Sequence, residues 1–449
     1  MAPAAQPTFT EATRLWWRIG LIGFGGPAGQ IALMHRLLVD ERRWIGEARF
    51  LNALNYCMLL PGPEAQQLAI YIGWALHGIR GGVVAGTLFV LPGAAIVLGL
   101  SAIYAMYGGV PLVAALFYGI KAAVLAVVVD AVIRIGKRAL RNGWMLAITA
   151  AAFLALFAFA VPFPLVVLAA ALVGLVGGRV APDRFAIRQH GGDGPAGAVD
   201  RALAAREARG AGGRQAATVI LVCLALWLAP TLALAAALGW DATFTRIGTF
   251  FSQMGVVTFG GAYAALAWVA QAAVETHGWL APGEMLDGLG LAETTPGPLI
   301  LVLQFVGFLA AFRDAGSLDP LLAGALGAAL TTWVTFLPSF LFVLAGAPFV
   351  ERLSRTRVLS AALSAITAAV VGVILNLALW FALHVLFARV DEIAIGALRL
   401  SRPDLATLDP AALVLSLAAF VALLRFKVGL IPVLAAAAVL GVAWKLLAG

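Results

Sequence analysis

Apolar stretches about as long as a bilayer is thick follow one another along almost the whole chain, and nothing else constrains its fold as strongly. A spanning helix needs about 20 such residues. Runs lie at roughly 14–34, 50–79, 82–107, 110–134, 144–160 and 164–179, and again at 215–239, 244–274, 284–313, 320–347, 358–388, 410–424 and 430–447. Only 12% of the residues are charged, against roughly a quarter in soluble domains, so a water-soluble globule is excluded. Helices satisfy their own backbone in lipid, and the expected fold is an all-α, polytopic membrane protein. Cys57 and Cys223 sit far apart inside apolar runs, so no structural disulfide is expected. The excess of Lys+Arg (30) over Asp+Glu (22) falls in short loops, where it sets orientation in the membrane; no nucleic-acid partner is expected. The first 13 residues lack the regions of a signal peptide, so the first apolar run is expected to stay in the mature fold.

A polar stretch at 180–214 divides the chain. It mixes Arg184, Arg188, Arg201, Arg206, Arg209 and Arg214 with glycines and a few acids, and reads as a cytoplasmic linker between an N-terminal repeat, 1–179, and a C-terminal repeat, 215–449. Phe24-Gly25-Gly26, Trp44 and Pro61-Gly62-Pro63 recur as Phe259-Gly260-Gly261, Trp279 and Pro296-Gly297-Pro298 at one constant offset of 235. Leu51, Asn52 and Leu54 likewise find Leu286, Asp287 and Leu289. Spacing preserved over three separate motifs makes the halves copies of one unit. Their relative orientation follows from arginine, which is enriched in short cytoplasmic loops. Arg36, Arg42, Arg43 and Arg49 follow the first run, whereas the equivalent 275–284 has no Lys or Arg; Arg352, Arg355 and Arg357 correspond to the uncharged turn at Gly108 and Gly109. Opposite bias in equivalent loops predicts two inverted-topology repeats, the arrangement of many secondary transporters.

The run at 50–79 lies between Arg49 and Arg80, both read as cytoplasmic. As unbroken helix it would be about 45 Å long, more than the ~30 Å hydrocarbon core. Prolines on either side of a glycine remove donors and disfavour helix before each, so breaks are predicted at Pro61-Gly62-Pro63 and Pro296-Gly297-Pro298. Either a re-entrant hairpin of two short arms or a kinked full span fits the length. A helix restarting at Pro63 or Pro298 opens with unpaired amides and a partial positive charge, a ready anion site. Such backbone at membrane depth needs protein or a cavity around it. Gly25, Gly26 and Pro27, with Gly260 and Gly261, offer close approach of backbone to ligand. Inversion would bring the breaks together near the midplane. The competing reading is that these residues only kink helices for packing.

Phe24-Gly25-Gly26-Pro27, Leu60-Pro61-Gly62-Pro63-Glu64 and Glu293-Thr294-Thr295-Pro296-Gly297-Pro298, in a chain of two halves, closely resemble the chromate ion transporter family in its long, duplicated form. The resemblance covers nearly the whole chain. It implies export of chromate, a tetrahedral dianion similar to sulfate, across a bacterial inner membrane, with chromate resistance as the result. The second copy reads Phe259-Gly260-Gly261-Ala262, lacking the counterpart of Pro27, so the halves are not expected to contribute identically.

An oxyanion at low dielectric wants amide donors, hydroxyls and at most one or two fixed cations. Thr294 and Thr295 are candidate donors or caps of the restarting helix, and Gln66, Gln67 and Gln304 candidate donors or packing residues. Glu64 and Glu293 adjoin the breaks and are candidate coupling groups, against the plainer reading of carboxylates accepting amide bonds at helix ends. Lys121, deep in the run at 110–134, is a candidate anion attractor or else the partner of a carboxylate on another helix; Asp130 is placed to meet Arg134 at i, i+4. Trp44 and Trp279 read as interfacial anchors. The five histidines are scattered and no Walker loop or paired cysteines occur, so neither metal nor cofactor is expected and energy should come from an ion or counter-substrate gradient. The expected function is therefore a secondary transporter, not an enzyme; the resemblance, and not the composition, implies chromate as substrate, with sulfate as a candidate ligand, membrane lipids as surroundings and a homo-oligomer left open. Two rivals remain: a sulfate or other oxyanion uptake or exchange carrier, and a membrane-embedded enzyme acting on lipid phosphate.

Overall fold

The computed structural model describes residues 7–185, 198–199, 213–259, 262–347, 357–396 and 398–448. It is an all-α, multi-pass membrane protein: seven helices among the described residues are long and apolar enough to cross a bilayer. The chain forms two compact units, and each takes elements from both halves of the sequence: 1–99 with 187–262 and 295–356, and 100–186 with 263–294 and 357–449.

The first unit begins with α1 (Phe9–Ile22), whose start carries a capping box between Thr8 and Glu11. Then come α2 (Gly26–His35), running into a π-helical turn at Arg36–Glu41, and α3 (Glu47–Leu59). After the break at 60–63, α4 (Glu64–Tyr107) is interrupted at His77 and Gly78, which gives a short arm, 64–76, and a long arm, 79–107. The predicted boundary between the second and third apolar runs is this interruption.

α3 has 13 residues, about 20 Å at 1.5 Å per residue, and 64–76 is equally long; neither reaches across ~30 Å of hydrocarbon. The arms fold back on each other, with the Tyr56 and Tyr71 rings 6.1 Å apart, and the start of α1 lies at the far end of the second arm, where the rings of Phe9 and His77 are 5.5 Å apart. This is the geometry of the re-entrant hairpin. Single cysteines replacing Glu47 and Arg80, both exposed, in a chain freed of Cys57 and Cys223, should react with an impermeant thiol reagent from the same membrane side; labelling from opposite sides would make the segment a full span.

The second copy repeats the pattern. α8 (Gly213–Leu238) leads to α9 (Thr243–Val257), equivalent to α1. Further along lie α12 (Val302–Arg313), which continues a 3₁₀ turn at Leu299–Leu301, and α13 (Pro320–Gly346). Thr243 at the start of α9 donates to Asp314 just past the end of α12, the counterpart of the Phe9–His77 contact. Gly20 of α1 packs on Leu88 and Pro92 of the long arm of α4, and Gly255 of α9 packs on Val334 and Pro338 of α13. The offset for this part of the chain is 246. The two equivalent helices run antiparallel, since Gly82 meets Leu344 and Gly86 meets Phe340. Antiparallel packing of equivalent helices is the inversion expected from the arginines. Trp16, Phe89, Phe251, Phe305 and Phe308 are fully buried in the core of this unit.

The second unit holds the end of α4, α5 (Pro111–Ala139), α6 (Gly143–Phe157), α7 (Phe163–Val180), α10 (Ala262–Gln271) from Tyr263, α11 (Pro282–Thr294), α14 (Arg357–Leu386), α15 (Pro410–Leu424) and α16 (Leu430–Ala448). Its helices approach through small residues: Gly174 of α7 sits on Ala362 of α14, Gly372 of α14 on the Thr149 carbonyl of α6, and Gly119 of α5 on Ala437 of α16. The Thr149 hydroxyl donates to the Ala368 carbonyl at 2.6 Å. Asp130 and Arg134 stand 4.0 Å apart at i, i+4, as expected. An antiparallel hairpin, β1 (Val390–Ile395) and β2 (Leu398–Pro403), was not expected from the sequence. Trp44 and Trp279, read as interfacial anchors, are instead only 5% and 6% exposed. In each copy the indole residue closes a π-helical turn, Trp44 N–H donating to Leu38 O and Trp279 N–H to Ala273 O, both at 2.8 Å.

Candidate functional site

Both breaks fall where the sequence places them. α3 ends at Leu59 and helix resumes at Glu64; the 3₁₀ turn that opens the second restart begins at Leu299, after Pro298. Gly62 and Gly297 have φ of +117° and +102°, a region closed to most L side chains. That conformation turns each glycine amide toward the other copy: Gly62 N–H donates to Thr258 O at 2.8 Å, and Gly297 N–H to Gly23 O at 3.0 Å. These bonds are equivalent under the offset of 235. A contact made twice, with the roles of the copies exchanged, is the mark of a two-fold axis between them. The axis passes near the breaks, and the flanking contacts obey it as well: Gly62 lies against Ser339, and Gly297 against Gly93, which are equivalent at the offset of 246. Gly93 is midway along the arm 79–107.

A narrow crevice of about 10 Å³, room for about one water, opens at this point, lined by Pro27, Gln30, Pro63, Glu64, Ala65, Ala262, Pro298, Leu299 and Ile300. Eight of these nine form four equivalent pairs: Pro27 with Ala262, Pro63 with Pro298, Glu64 with Leu299 and Ala65 with Ile300. The restarting helices present their first turns to this space. The first intrahelical bonds run from Gln67 N–H to Pro63 O at 3.0 Å and from Leu301 N–H to Pro298 O at 2.9 Å, so the amides of the residues before Gln67 and Leu301 stand at helix N-termini, where backbone donors and the positive dipole end meet. Glu64 brings a carboxylate to the same wall.

The ninth lining residue, Gln30, was not among the predicted site residues. It is fully buried. Its Nε2 donates to Gly23 O at 3.2 Å and to Gly297 O, tying the segment before Phe24 in one copy to the break of the other. Its counterpart in the second copy is Ala265.

The other predicted residues of the first unit surround the breaks without lining the cavity. Gly25 caps α2 and Gly26 is its first residue, both with positive φ; Pro61 and Pro296 open the two breaks. Gly260 and Gly261 lie outside the described residues. Gln67 donates from Nε2 to Pro61 O at 2.7 Å, holding the first break in shape. Gln304 donates to Ala94 O at 2.8 Å and accepts from Thr332 at 2.9 Å, a packing role. Thr295 is buried. Gln66 is fully buried and neither amide atom has a hydrogen-bond partner; Gln67 Oε1, Ser339 Oγ and Thr335 Oγ1 are unsatisfied likewise. Buried polar groups are rarely left so, and Gln67 and Ser339 lie against Gly62 of the first break.

Lys121, Glu293 and Thr294 belong to the second unit. Lys121 Nζ is 3.1 Å from Asp287 Oδ2, and the same oxygen accepts from Tyr104 OH at 2.7 Å, so the carboxylate partner on another helix is the pairing observed. Glu293 accepts from Tyr263 OH at 2.6 Å. The Thr294 hydroxyl donates back to Gly290 O and Leu291 O at 3.1 and 2.9 Å; it does not cap the restarting helix, whose first turn has no side-chain cap.

The family model described as "Chromate transporter" matches residues 10–175 and 245–442, two stretches that begin 235 residues apart. A "Chromate transport protein" of Pseudomonas aeruginosa is 35% identical over 80% of this chain and 77% of its own length. One of the same name from Cupriavidus metallidurans is 29% identical over 82% of each. An "Uncharacterized transporter" of Bacillus subtilis is 28% identical over 138 residues, 30% of this chain and 70% of that protein. No solved structure matches the chain.

Proposed function

The chain belongs to the chromate transporter family, and on that premise we propose that it is a secondary carrier exporting chromate across a bacterial inner membrane, which confers chromate resistance. The observation that carries the mechanism is the cavity lined by equivalent residues of both copies, Pro63 with Pro298, Glu64 with Leu299 and Ala65 with Ile300. Amides at the two restarting helices hold the oxyanion, each copy contributing one set. The depth of Gly93, halfway along its arm, supports a site near the bilayer midplane. Rocking about the two-fold axis would expose such a site to one face and then the other.

Glu64 is the group through which charge couples to substrate in this reading. It lines the cavity, so its carboxylate and the anion repel unless a proton is shared between them. Glu293, hydrogen-bonded to Tyr263, is the second coupling candidate, and Lys121 the candidate anion attractor of the second unit. The relatives named as transport proteins support a carrier over an enzyme acting on lipid phosphate.

Inside-out membrane vesicles test the proposal. Wild-type vesicles should accumulate chromate under an imposed pH gradient, with excess sulfate slowing entry, and Glu64→Gln should retain binding while losing the response to the gradient. Accumulation only in right-side-out vesicles would reverse the direction; sulfate carried without chromate would replace the substrate.

A further inference from the structure

Beside Lys121, the second unit holds an open pocket of about 400 Å³, lined by Pro111, Ala114, Ala115, Tyr118 and Lys121 of α5 and by Lys445 of α16. Pro111 and Lys121 are separated by about 15 Å along the helix axis, so the pocket is a furrow running inward from the start of α5. Gly441 of α16 lies against Ala115 and Gly119. Lys445, one turn further along α16, therefore stands at the outer mouth, with Lys121 at the inner end. Lys121 is held by Asp287 at 3.1 Å. Asp409 is engaged as well, accepting from the Tyr118 hydroxyl at 2.9 and 2.8 Å and from the Ala411 and Ala412 amides at 3.0 Å. Lys445 is left with a ring: its Nζ is 4.6 Å from the Tyr118 centroid, and no carboxylate pairs with it among the described residues. The start of α5 adds charge of the same sign. It has no side-chain cap, and its first bond runs from Ala114 N–H to Val110 O, so the Leu112 and Val113 amides stand at its positive end.

One unmatched cation beside a helix N-terminus suits a ligand with a single negative charge; a dianion would need Lys121 too, and Asp287 holds it. The surroundings add a second requirement. Between the lysines the lining is Pro111, Ala114, Ala115 and the Tyr118 ring, and Leu112, Trp444, Leu446 and Leu447 next to its mouth are exposed. A phosphodiester on acyl chains meets both conditions, since it keeps one charge at physiological pH and its chains cover the leucines. We infer that this pocket binds the headgroup of an anionic phospholipid, with the phosphodiester between Lys445 and the start of α5 and the acyl chains along the apolar surface of α5 and α16. The other copy lacks such a site. Gly441 and Gly174 are equivalent at an offset of 267, each packed on an alanine, Ala115 and Ala361; the same offset puts Gly178 where Lys445 stands, and Thr367 and Ser364 replace Lys121 and Tyr118 at 246. Lipid charge is thus read in one leaflet only, the one at which α5 begins.

Native mass spectrometry of the full-length protein, released from micelles with equal phosphatidylglycerol and phosphatidylcholine, tests this by counting retained lipids. Both carry a phosphodiester, but only phosphatidylglycerol has a net negative charge. Wild type should retain phosphatidylglycerol about fivefold more often, the preference that one lysine near a bilayer surface supplies. Lys445→Gln should bring the two lipids to parity and Lys445→Arg should keep the preference. Lys427→Gln, which removes an exposed lysine from the turn between α15 and α16, should leave it unchanged. Equal retention by wild type, or an undiminished preference in Lys445→Gln, overturns the inference. Added sulfate or chromate separates a free oxyanion from a lipid: displacement of phosphatidylglycerol beyond that caused by chloride at the same ionic strength assigns the pocket to the free ion and overturns the lipid. Because binding and not flux is measured, the result is independent of the carrier reading.

Discussion

Gly93→Ala is expected to lower chromate flux about 100-fold, the scale of loss that a displacement of about 1 Å at a reacting or binding centre can produce, while Gly99→Ala leaves flux unchanged. A methyl group at 93 would stand 2.2 Å from Pro296 O and 3.1 Å from Gly297 Cα. Both are backbone atoms of the second break, so no side chain can swing aside to make room. The break is also held in place: Gly297 N–H is bonded to Gly23 O, and Gly297 O accepts from Gln30. Something must move, and overpacking of this kind costs about 1–3 kcal/mol. The displaced backbone leads directly to Pro298 and Leu299 on the cavity wall. Gly99 lies on the same helix with nothing within 4 Å of an added carbon, which makes it the matched control. Flux in proteoliposomes at equal protein density, with thermal unfolding in detergent alongside, measures both effects. Equal activity of the two variants would mean that the contact between Gly93 and the break is dispensable.

The second large effect is expected at Lys121. Asp287 is nearly buried, its side chain 3% exposed, and Lys121 is its ion-pair partner. Removing one member of a fully buried pair costs about 3–5 kcal/mol, whereas replacing both by apolar residues is often neutral; the Lys121 side chain is 29% exposed, so a loss below that range is expected here. Lys121→Met should accordingly be destabilised, with the Tyr104 hydroxyl still donating to Asp287, and Lys121→Met with Asp287→Leu should recover most of the loss in thermal unfolding. Flux then separates the two roles that the sequence leaves open. If the double variant regains stability and transport together, the lysine serves the pair. If it regains stability but stays inactive, the lysine serves the anion.

Much of this arrangement was legible before any coordinates. Apolar length dictated the helices, the Pro-Gly-Pro segments dictated where they stop, and the opposed arginines dictated inversion, because each rests on short-range chemistry that a sequence displays directly. Gln30 was not legible. Its role depends on Gly297, 267 residues away, and comparison of the repeats drew attention away from it, since Ala265 is its counterpart. Asp287 appeared only as the equivalent of Asn52, and its burial comes from packing against α5. Trp44 and Trp279 looked amphipathic enough for a membrane interface, but both are buried, and the backbone of each closes a π-helical turn that has no sequence signature. The hairpin at 390–403 is too short and too charged to stand out beside the long helices around it.

The crossed amide bonds at Gly62 and Gly297 also bear on how such proteins can be assembled. Each break is completed by a carbonyl that only the opposite copy supplies, so neither half can finish its own turn. A polypeptide carrying one copy would have to associate with another inserted the other way up, and its gene would need to yield both insertions in comparable amounts. Joining the copies in one chain removes that requirement, and frees each half to drift from its twin, as Gln30 and Ala265 already have.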